Sequence, residues 1–334
     1  MWPRSTRSSR ARKRNSWRSD LLDQSRKSAR AATEEYAVDP APSGPPGPPG
    51  PTAAAAAPPS RAGRDLTRAI PVGVGLGALV IASIAFNPRA WYFVAAGAVA
   101  IGTWEVFKRL RQARFELPLI PLLVGGQAMV WSGFVDGPRG AFAAFAATSV
   151  VVLVWRLLMA GLQTAPRNYL RDVSVSMFVL VWIAVPGSLG AMLSDGEENV
   201  GALKVVALIL LVVCSDVGGY VAGVLFGRHP MAPAISPKKS WEGFAGSLVL
   251  SMVGGALVMW LLFGDDIWKG ILLGALVVFT ATLGDLVESQ VKRDLGIKDM
   301  GTLLPGHGGF MDRLDSVLPS AVVVWIIFTF VVAT

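Results

Sequence analysis

Residues 243–263 read GFAGSLVLSMVGGALVMWLLF, a run of 21 residues without an ionisable side chain. A helix needs about 20 apolar residues to cross the hydrocarbon core of a bilayer. In lipid, the backbone polar groups have to be hydrogen-bonded within the segment, which favours a helix. The run also lacks the short alternating pattern of a membrane barrel. This stretch therefore predicts a transmembrane helix.

Eight further apolar segments follow the same pattern from residue 70 onward. With the first, they lie near residues 70–87, 91–107, 117–135, 140–161, 173–194, 202–226, 243–263, 269–288 and 316–333. Of the 334 residues, 52% are hydrophobic and 16% are charged, against about 25% charged in soluble domains. The mean hydropathy is +0.50. We therefore expect an all-α, polytopic membrane protein with about nine transmembrane helices.

The first 65 residues have a different composition. Residues 1–30 hold ten Arg and Lys against two Asp, and residues 40–59 read PAPSGPPGPPGPTAAAAAPP. Such a segment cannot bury a core, so we predict a disordered cytoplasmic tail over 1–65 and a transmembrane catalytic domain over 66–334. A solvated tail that fixes topology is favoured over a lipid-surface anchor. No cleavable signal peptide is evident, and the single cysteine, Cys214, allows no intrachain disulfide.

The loops alternate in charge. Those after the second, fourth, sixth and eighth segments are basic, whereas the others are short or acidic. The basic loops contain Lys108, Arg109, Arg111 and Arg114; Arg167 and Arg171; Arg228, Lys238 and Lys239; and Lys292, Arg293 and Lys298. Positive loops face the cytoplasm, so the pattern predicts a plasma-membrane protein with a cytoplasmic N-terminus and a C-terminus outside. In this setting the net charge of +8 does not indicate a nucleic-acid partner.

Polar residues suited to catalysis concentrate in two stretches, 215–243 and 284–316, on the predicted cytoplasmic side. Asp216 lies inside an apolar segment, where an ionisable group is a functional candidate, although it also fits an Asp bonded to a neighbouring helix. Asp285, Glu288 and Ser289 share one helix face. Gathered carboxylates of this kind are typical of Mg²⁺ sites completed by substrate phosphates, but they also fit an ordinary polar helix end.

Asp312 and Asp315 form a second acidic pair, preceded by Gly308 and Gly309, whose N–H groups suit phosphate. Lysines and arginines lie among these acids, and carboxylates with cations are the groups that phosphoryl or nucleotidyl transfer requires. The chain has no Gly-x-x-x-x-Gly-Lys-Ser/Thr loop, so it is not a P-loop enzyme. His307 fits a base, a phosphate donor or a packing residue, and its spacing does not decide among them.

The second stretch resembles the signature of phosphatidate cytidylyltransferases, also called CDP-diacylglycerol synthases. The matching positions are Ser289, Val291-Lys292-Arg293, Lys298-Asp299, Gly301, Leu304-Pro305, His307-Gly308-Gly309-Phe310 and Asp312-Arg313-Leu314-Asp315. The first stretch is also similar, through Ser215-Asp216, Gly218, Tyr220, Ser236-Pro237-Lys238-Lys239-Ser240 and Glu242-Gly243. Gly219 stands where alanine is common in the family. The resemblance covers about residues 70–334.

This resemblance implies that CTP and phosphatidic acid react to CDP-diacylglycerol and pyrophosphate in a Mg²⁺-dependent step of phospholipid biosynthesis. It implies Mg²⁺ ligation by Asp285 and Asp312, with Lys292 and Arg313 as further catalytic residues. The residues it implies for substrate binding are Asp216, Ser236, Lys238, Lys239, Ser289, Arg293, Lys298, His307, Gly308 and Gly309. The phosphate of phosphatidic acid is already ionised at pH 7, which lowers the expectation that His307 acts as a base.

Several alternatives stay open at this point. A second, monovalent cation such as K⁺ and a homodimer are compatible with the chain. A transporter would also use an intramembrane aspartate, but no internal repeat is evident. A polyprenol kinase would share CTP but not the full signature, and the Asp-Gly-x-x-Ala-Arg motif of CDP-alcohol phosphotransferases is absent. The Ala, Gly, Arg and Pro-rich composition indicates a bacterial source.

Overall fold

The computed structural model describes residues 66–332 except 88, 160, 197, 302 and 304–307, and it gives the backbone alone for 66–74, 76 and 198. The predicted tail over 1–65 lies outside the described residues. The described part is almost entirely helical, as expected for an all-α membrane protein. Its helices are α1 (Leu66–Phe86), α2 (Ala90–Gln112), α3 (Leu119–Leu158), α4 (Tyr169–Ser194), α5 (Glu198–Phe226), α6 (Trp241–Phe263), α7 (Ile267–Asp294), α8 (Met311–Leu314) and α9 (Val317–Phe330).

Seven helices of the described chain are long and apolar enough to cross a membrane, the last of them formed by α8 and α9 together. Helix α3 has 40 residues, or about 60 Å at 1.5 Å per residue, twice the thickness of the hydrocarbon core. Its helical geometry breaks at Asp136 and Gly137, where Gly137 has a φ of +59° and Pro138 follows. Glycine adopts this left-handed conformation without steric cost.

The two halves of α3 fold back on each other. Gly125 approaches Thr148 so closely that a Cβ there would overlap the threonine side chain. Residues 119–135 and 138–158 therefore form a helical hairpin, which corresponds to the predicted segments 117–135 and 140–161. Helix α1 corresponds to the predicted segment 70–87. The prediction of about nine apolar segments is thus confirmed as an approximate count.

Two hydrophobic clusters hold the bundle together. One joins α2, α3 and α4 around Val99, Leu122 and Ile183. The other joins α5, α6, α7 and α9 around Leu208, Met259 and Val324. Helices α5 and α6 approach closely through glycine, since a Cβ on Gly246 would overlap Ala222 and the backbone of Gly218. Such contacts let polar backbone and side chains of neighbouring helices meet.

The basic loops meet at one end of the bundle. Arg171 Nη2 donates to Arg114 O at 2.8 Å, and Arg109 Nε donates to Met300 O at 2.6 Å. Arg293 Nε donates to Ile235 O at 3.3 Å. Four basic segments far apart in sequence, some of them helix ends rather than the predicted loops, therefore gather on one side, as the alternation of charge predicts. Which side faces the cytoplasm stays a prediction.

The opposite end is held by a different interaction. The Tyr92 hydroxyl donates to the Asp195 carboxylate at 2.8 Å and links the start of α2 to the end of α4. Burial raises the pKa of Asp195 above its usual value, while the hydrogen bond from Tyr92 and the charge of Lys204 oppose that rise. The polar contacts of the two ends are thus chemically distinct.

A small β-hairpin interrupts the helices between α5 and α6. Strand β1 (Pro230–Ala232) pairs antiparallel with β2 (Ser236–Ser240). Ser240 then caps α6, because its hydroxyl accepts a hydrogen bond from Gly243 N at 3.1 Å and so satisfies one of the free N–H groups of the first turn. Glu242 accepts hydrogen bonds from Arg228 N and His229 N, both at 3.2 Å, and fastens the hairpin to the helix.

Candidate active site

A cleft of about 220 Å³ opens where the two polar stretches meet. Its walls come from α5, the β-hairpin, α6 and α7. The lining residues are Ser215, Asp216, Gly219, Tyr220, Gly223, Met231, Lys238, Lys239, Ser240, Gly243, Phe244, Ser247, Ala281, Thr282, Asp285 and Ser316. The cleft thus combines carboxylates, lysines and small residues with two aromatic rings.

An ion pair joins the two stretches directly. Lys239 on β2 lies 2.7 Å from the carboxylate of Asp285 on α7, and its ammonium group also donates to Thr282 O at 3.2 Å. Ser289, one turn beyond Asp285, donates to the other oxygen of that carboxylate at 3.3 Å. The hairpin therefore holds a lysine over the acidic face of α7, and both groups remain accessible from the cleft.

Three carboxylates meet beside this ion pair. One oxygen from each of Asp285, Glu288 and Asp315 lies within 4.8 Å of the others. Asp315 reaches α7 because Gly284 has no side chain, and a Cβ on Gly284 would overlap the Asp315 carbonyl. Asp216 is close enough to Asp315 to interact with it electrostatically. Like charges at this separation repel unless cations balance them.

This acidic cluster fits a divalent cation. Glu288 is fully buried, and within the described residues its Oε1 has no hydrogen-bond partner, although buried polar atoms are usually paired. Carboxylate oxygens are the protein ligands that Mg²⁺ prefers. Asp285, Glu288 and Asp315 therefore have the chemistry and the spacing to hold such an ion.

Asp312 has a different environment from the other acids. Its Oδ1 accepts a hydrogen bond from Lys292 Nζ at 2.8 Å, and its Oδ2 accepts from Met300 N and Gly309 N at 3.0 and 2.7 Å. Lys292 also binds Glu288 at 2.5 Å. The structure therefore connects Asp312 to the acidic cluster through Lys292, whereas Asp285 is part of that cluster.

The other predicted site residues surround this centre at various distances. Asp216 and Lys238 line the cleft, and Ser236 lies at the start of β2. Arg293 contacts the hairpin at Ile235 O, while Lys298 is exposed. Gly308, with a φ of +80°, and Gly309 lie against Asp312, and Arg313 follows it on α8. His307 lies outside the described residues.

Comparison with known proteins agrees with this geometry. A model of the cytidylyltransferase family matches residues 67–331, which is most of the chain. The chain belongs to the cytidylyltransferase family. It is therefore a nucleotidyltransferase, and its apolar helices make it a multi-pass membrane protein.

The chain is similar to several mycobacterial proteins along most of their length. A phosphatidate cytidylyltransferase of Mycobacterium tuberculosis H37Rv is 50% identical over 315 residues, covering 91% of this chain and 95% of the relative. Those of Mycobacterium bovis and Mycobacterium leprae are 53% and 51% identical, covering 81% and 80% of this chain and 90% and 89% of the relatives. The family resemblance read from the sequence is confirmed, and the relatives indicate a bacterial origin.

The sequence analysis did not identify one acidic residue of this cytidylyltransferase. Glu105, on α2, is 3% exposed, and its Oε2 accepts a hydrogen bond from Met311 N at 2.7 Å. It is therefore part of the surroundings of Asp312. A signal was available, because Glu105 is an ionisable residue within the apolar segment 91–107.

Proposed function

We propose that this enzyme transfers the cytidylyl group of CTP to phosphatidic acid and releases CDP-diacylglycerol and pyrophosphate. The observation that carries the proposal is the pairing of Lys239 with Asp285 in a cleft at the basic end of a membrane bundle. A lysine and a carboxylate from distant stretches meet there, where a lipid headgroup and a soluble nucleotide can both reach. The names of the mycobacterial relatives support phosphatidate as the acceptor.

The reaction needs positioning and charge neutralisation more than proton transfer. An oxygen of the phosphatidic acid phosphate forms a bond to the α-phosphorus of CTP, and the bond from that phosphorus to the bridging oxygen breaks as pyrophosphate leaves. The attacking phosphate is ionised at pH 7, so no side chain has to remove a proton. Catalysis then depends on aligning two polyanions and stabilising the charge that develops between them.

The lysines of the cleft supply positive charge for these anions. Lys239 is 22% exposed at the ion pair with Asp285, and Lys238 beside it lines the same cleft. We propose that these two lysines bind phosphate groups, together with Arg293, Lys298 and Arg313 around the rim. Ser236, Ser289, Gly308 and Gly309 are proposed to contribute hydrogen bonds to the substrates, and Asp216 lines the same cavity.

We also propose that Asp285 binds Mg²⁺. The family resemblance implies Asp312 as the second ligand, whereas the spacing of the carboxylates favours Asp315. When bound, Mg²⁺ supplies positive charge to the triphosphate and to the leaving pyrophosphate. The fit of the carboxylates of Asp285, Glu288 and Asp315 supports this assignment. The cleft is proposed to face the cytoplasm, where CTP is available, with the N-terminus on the same side and the C-terminus outside.

The proposal is tested with the purified full-length protein in mixed micelles that contain phosphatidic acid. CTP labelled at the α-phosphate is expected to transfer its label to lipid only with Mg²⁺, whereas CTP labelled at the γ-phosphate is not. Asp285→Asn is expected to lower the rate on the order of 10²–10³-fold. Asp266→Asn, an acid at the opposite end of α7, serves as the matched control and is expected to remain active.

The phosphate of CTP from which the label is transferred distinguishes a cytidylyltransferase from a kinase. Transfer of the γ-label to a polyprenol would identify a kinase and overturn the proposal. Absence of lipid labelling from either nucleotide, with well-folded protein and several metal ions, would overturn it as well and direct attention to transport.

A further inference from the structure

Glu105 is a buried acid outside both the cleft and the acidic cluster that still contacts the active-site region. It lies on α2, a membrane-spanning helix, and is 3% exposed. A carboxylate in such a place is costly and is kept only where specific partners hold it. The chemistry proposed above assigns no role to Glu105, although the residue it contacts, Met311, directly precedes Asp312.

Two side chains of α2 hold the two ends of the loop before Asp312. Glu105 Oε2 accepts a hydrogen bond from Met311 N at 2.7 Å, at the start of α8. Arg109, one turn further along the same face of α2, donates from Nε to Met300 O at 2.6 Å. An acceptor therefore fixes the last residue of the loop, and a donor fixes the first.

Two loop glycines fit closely around the Glu105 carboxylate. A Cβ on Gly301 would overlap that carboxylate, and a Cβ on Gly309 would lie 2.6 Å from its Oε2. Neither position has room for a side chain. These two glycines are part of the signature stretch, so the position of Glu105 gives a physical reason for their lack of a side chain.

The loop in turn orients Asp312. The Oδ2 atom of Asp312 accepts hydrogen bonds from Met300 N and Gly309 N. The carbonyl of Met300 is held by Arg109, and Gly309 lies two residues before Met311, which Glu105 holds. A displacement of Met300 and Gly309 would therefore turn the Asp312 carboxylate away from Lys292, which it binds at 2.8 Å.

We propose that Glu105 and Arg109 are positioning residues, which clamp Met311 and Met300 onto α2 and so fix Asp312 beside Lys292. This proposal rests on the proposed function, because its kinetic readout is cytidylyl transfer. Neither side chain contacts substrate in the proposed role. Removing either one is therefore expected to change the position of Asp312 and not the binding of substrate.

The test compares Glu105→Ala, Glu105→Gln and Arg109→Ala with the wild-type protein in the α-label assay. We expect Glu105→Ala to lower kcat on the order of 10²-fold, as for loss of alignment, with the KM for CTP changed less than about threefold. Glu105→Gln keeps an oxygen that accepts from Met311 N, and its kcat should recover by about tenfold over Glu105→Ala. The Glu105→Ala/Arg109→Ala double variant should lose less than the product of the two single losses, because both residues act on one loop.

A second readout does not depend on activity. Hydrogen exchange of the peptide containing residues 308–311 should be faster in Glu105→Ala than in the wild-type protein. Thr103→Val changes an equally buried polar residue of the same helix and should leave both kcat and exchange unchanged. Wild-type kcat in Glu105→Ala, or unchanged exchange, would overturn the clamp.

The two proposals fail in different ways. If the wild-type protein labels no lipid, the proposed function is overturned, while the exchange contrast between Glu105→Ala and Thr103→Val still decides whether the clamp exists. If the wild-type protein is active and Glu105→Ala equals Thr103→Val in kcat, only the clamp is overturned.

Discussion

Lys292 is the residue that connects the two acidic groups of the site. Its ammonium group binds Glu288 at 2.5 Å and Asp312 at 2.8 Å, and it is 16% exposed. A lysine has three N–H donors, so among the described residues these two contacts leave one donor, which we propose binds a substrate phosphate. The family resemblance implies a catalytic role for Lys292, and the structure adds that this lysine also holds the Asp312 side chain in place.

The local environments of Asp312 and Asp315 lead to different expectations for their amide variants. The Asp315 carboxylate lies in the cluster with Asp285 and Glu288, whereas the oxygens of Asp312 accept from Lys292 and two backbone N–H groups. We expect Asp315→Asn to raise the Mg²⁺ concentration for half-maximal rate by at least about tenfold, the effect of losing one charged ligand. Asp312→Asn should mainly lower kcat. A Mg²⁺ titration of the purified variants measures both.

The reverse outcome would be equally informative. If Asp312→Asn shifts the Mg²⁺ requirement and Asp315→Asn does not, Lys292 releases Asp312 when the metal enters. The ligand pair would then be Asp285 and Asp312, as the family resemblance implies.

Among the helices and strands, the sequence predicts those whose surroundings are lipid. Long apolar runs identify the helices, and the interruption at Gly137-Pro138 separates the two halves of α3. The β-hairpin was not predicted. Its strands have only three and five residues, contain Pro230 and Pro237, and show no alternation of apolar and polar side chains. Tertiary contacts such as Glu242 with the backbone at residues 228 and 229 hold it.

Close packing of α5 against α6 predicts a specific weakness at Gly246. A Cβ there would overlap Ala222 and lie 2.6 Å from Gly218 O. We expect Gly246→Ala to lower the free energy of unfolding by about 1–3 kcal/mol through overpacking. Denaturation in detergent, followed by circular dichroism, measures the change.

Gly97→Ala on α2 is the matched control for this substitution. Nothing lies within 4 Å of a Cβ at Gly97, and both substitutions bring the same gain in helix propensity. Equal stability of the two variants would mean that α5 and α6 separate easily and that the glycine contact does not hold the cleft.

The folded chain brings together residues that no local pattern connects. Asp285, Lys292 and Asp312 could be proposed from the sequence because they lie in one continuous polar stretch. Glu105 lies 206 residues before its partner Met311, and no spacing rule spans that distance. Because Glu105 and Met311 are so far apart in the sequence, their contact could be identified only from the structure.

The orientation of the bundle in the membrane can be measured by cysteine labelling. In a Cys214→Ser background, which removes the single cysteine, Lys298→Cys lies in a basic loop and Asp266→Cys in an acidic loop. By the positive-inside rule, a membrane-impermeant maleimide should label Lys298→Cys only in inside-out vesicles and Asp266→Cys only in spheroplasts. Reversed labelling would put the lysine–carboxylate cleft on the side away from cytoplasmic CTP.

The contact of Glu105 with Met311 also has a consequence for the time at which the enzyme becomes active. The ribosome adds about 5–20 residues per second, so the 206 residues between them take roughly 10–40 s to synthesise. Until residue 311 has been synthesised, the Glu105 carboxylate lacks the backbone N–H group that it binds in the finished fold. The proposed clamp can therefore close only late in synthesis, because a nascent chain that stops before residue 311 lacks the Met311 N–H that Glu105 binds.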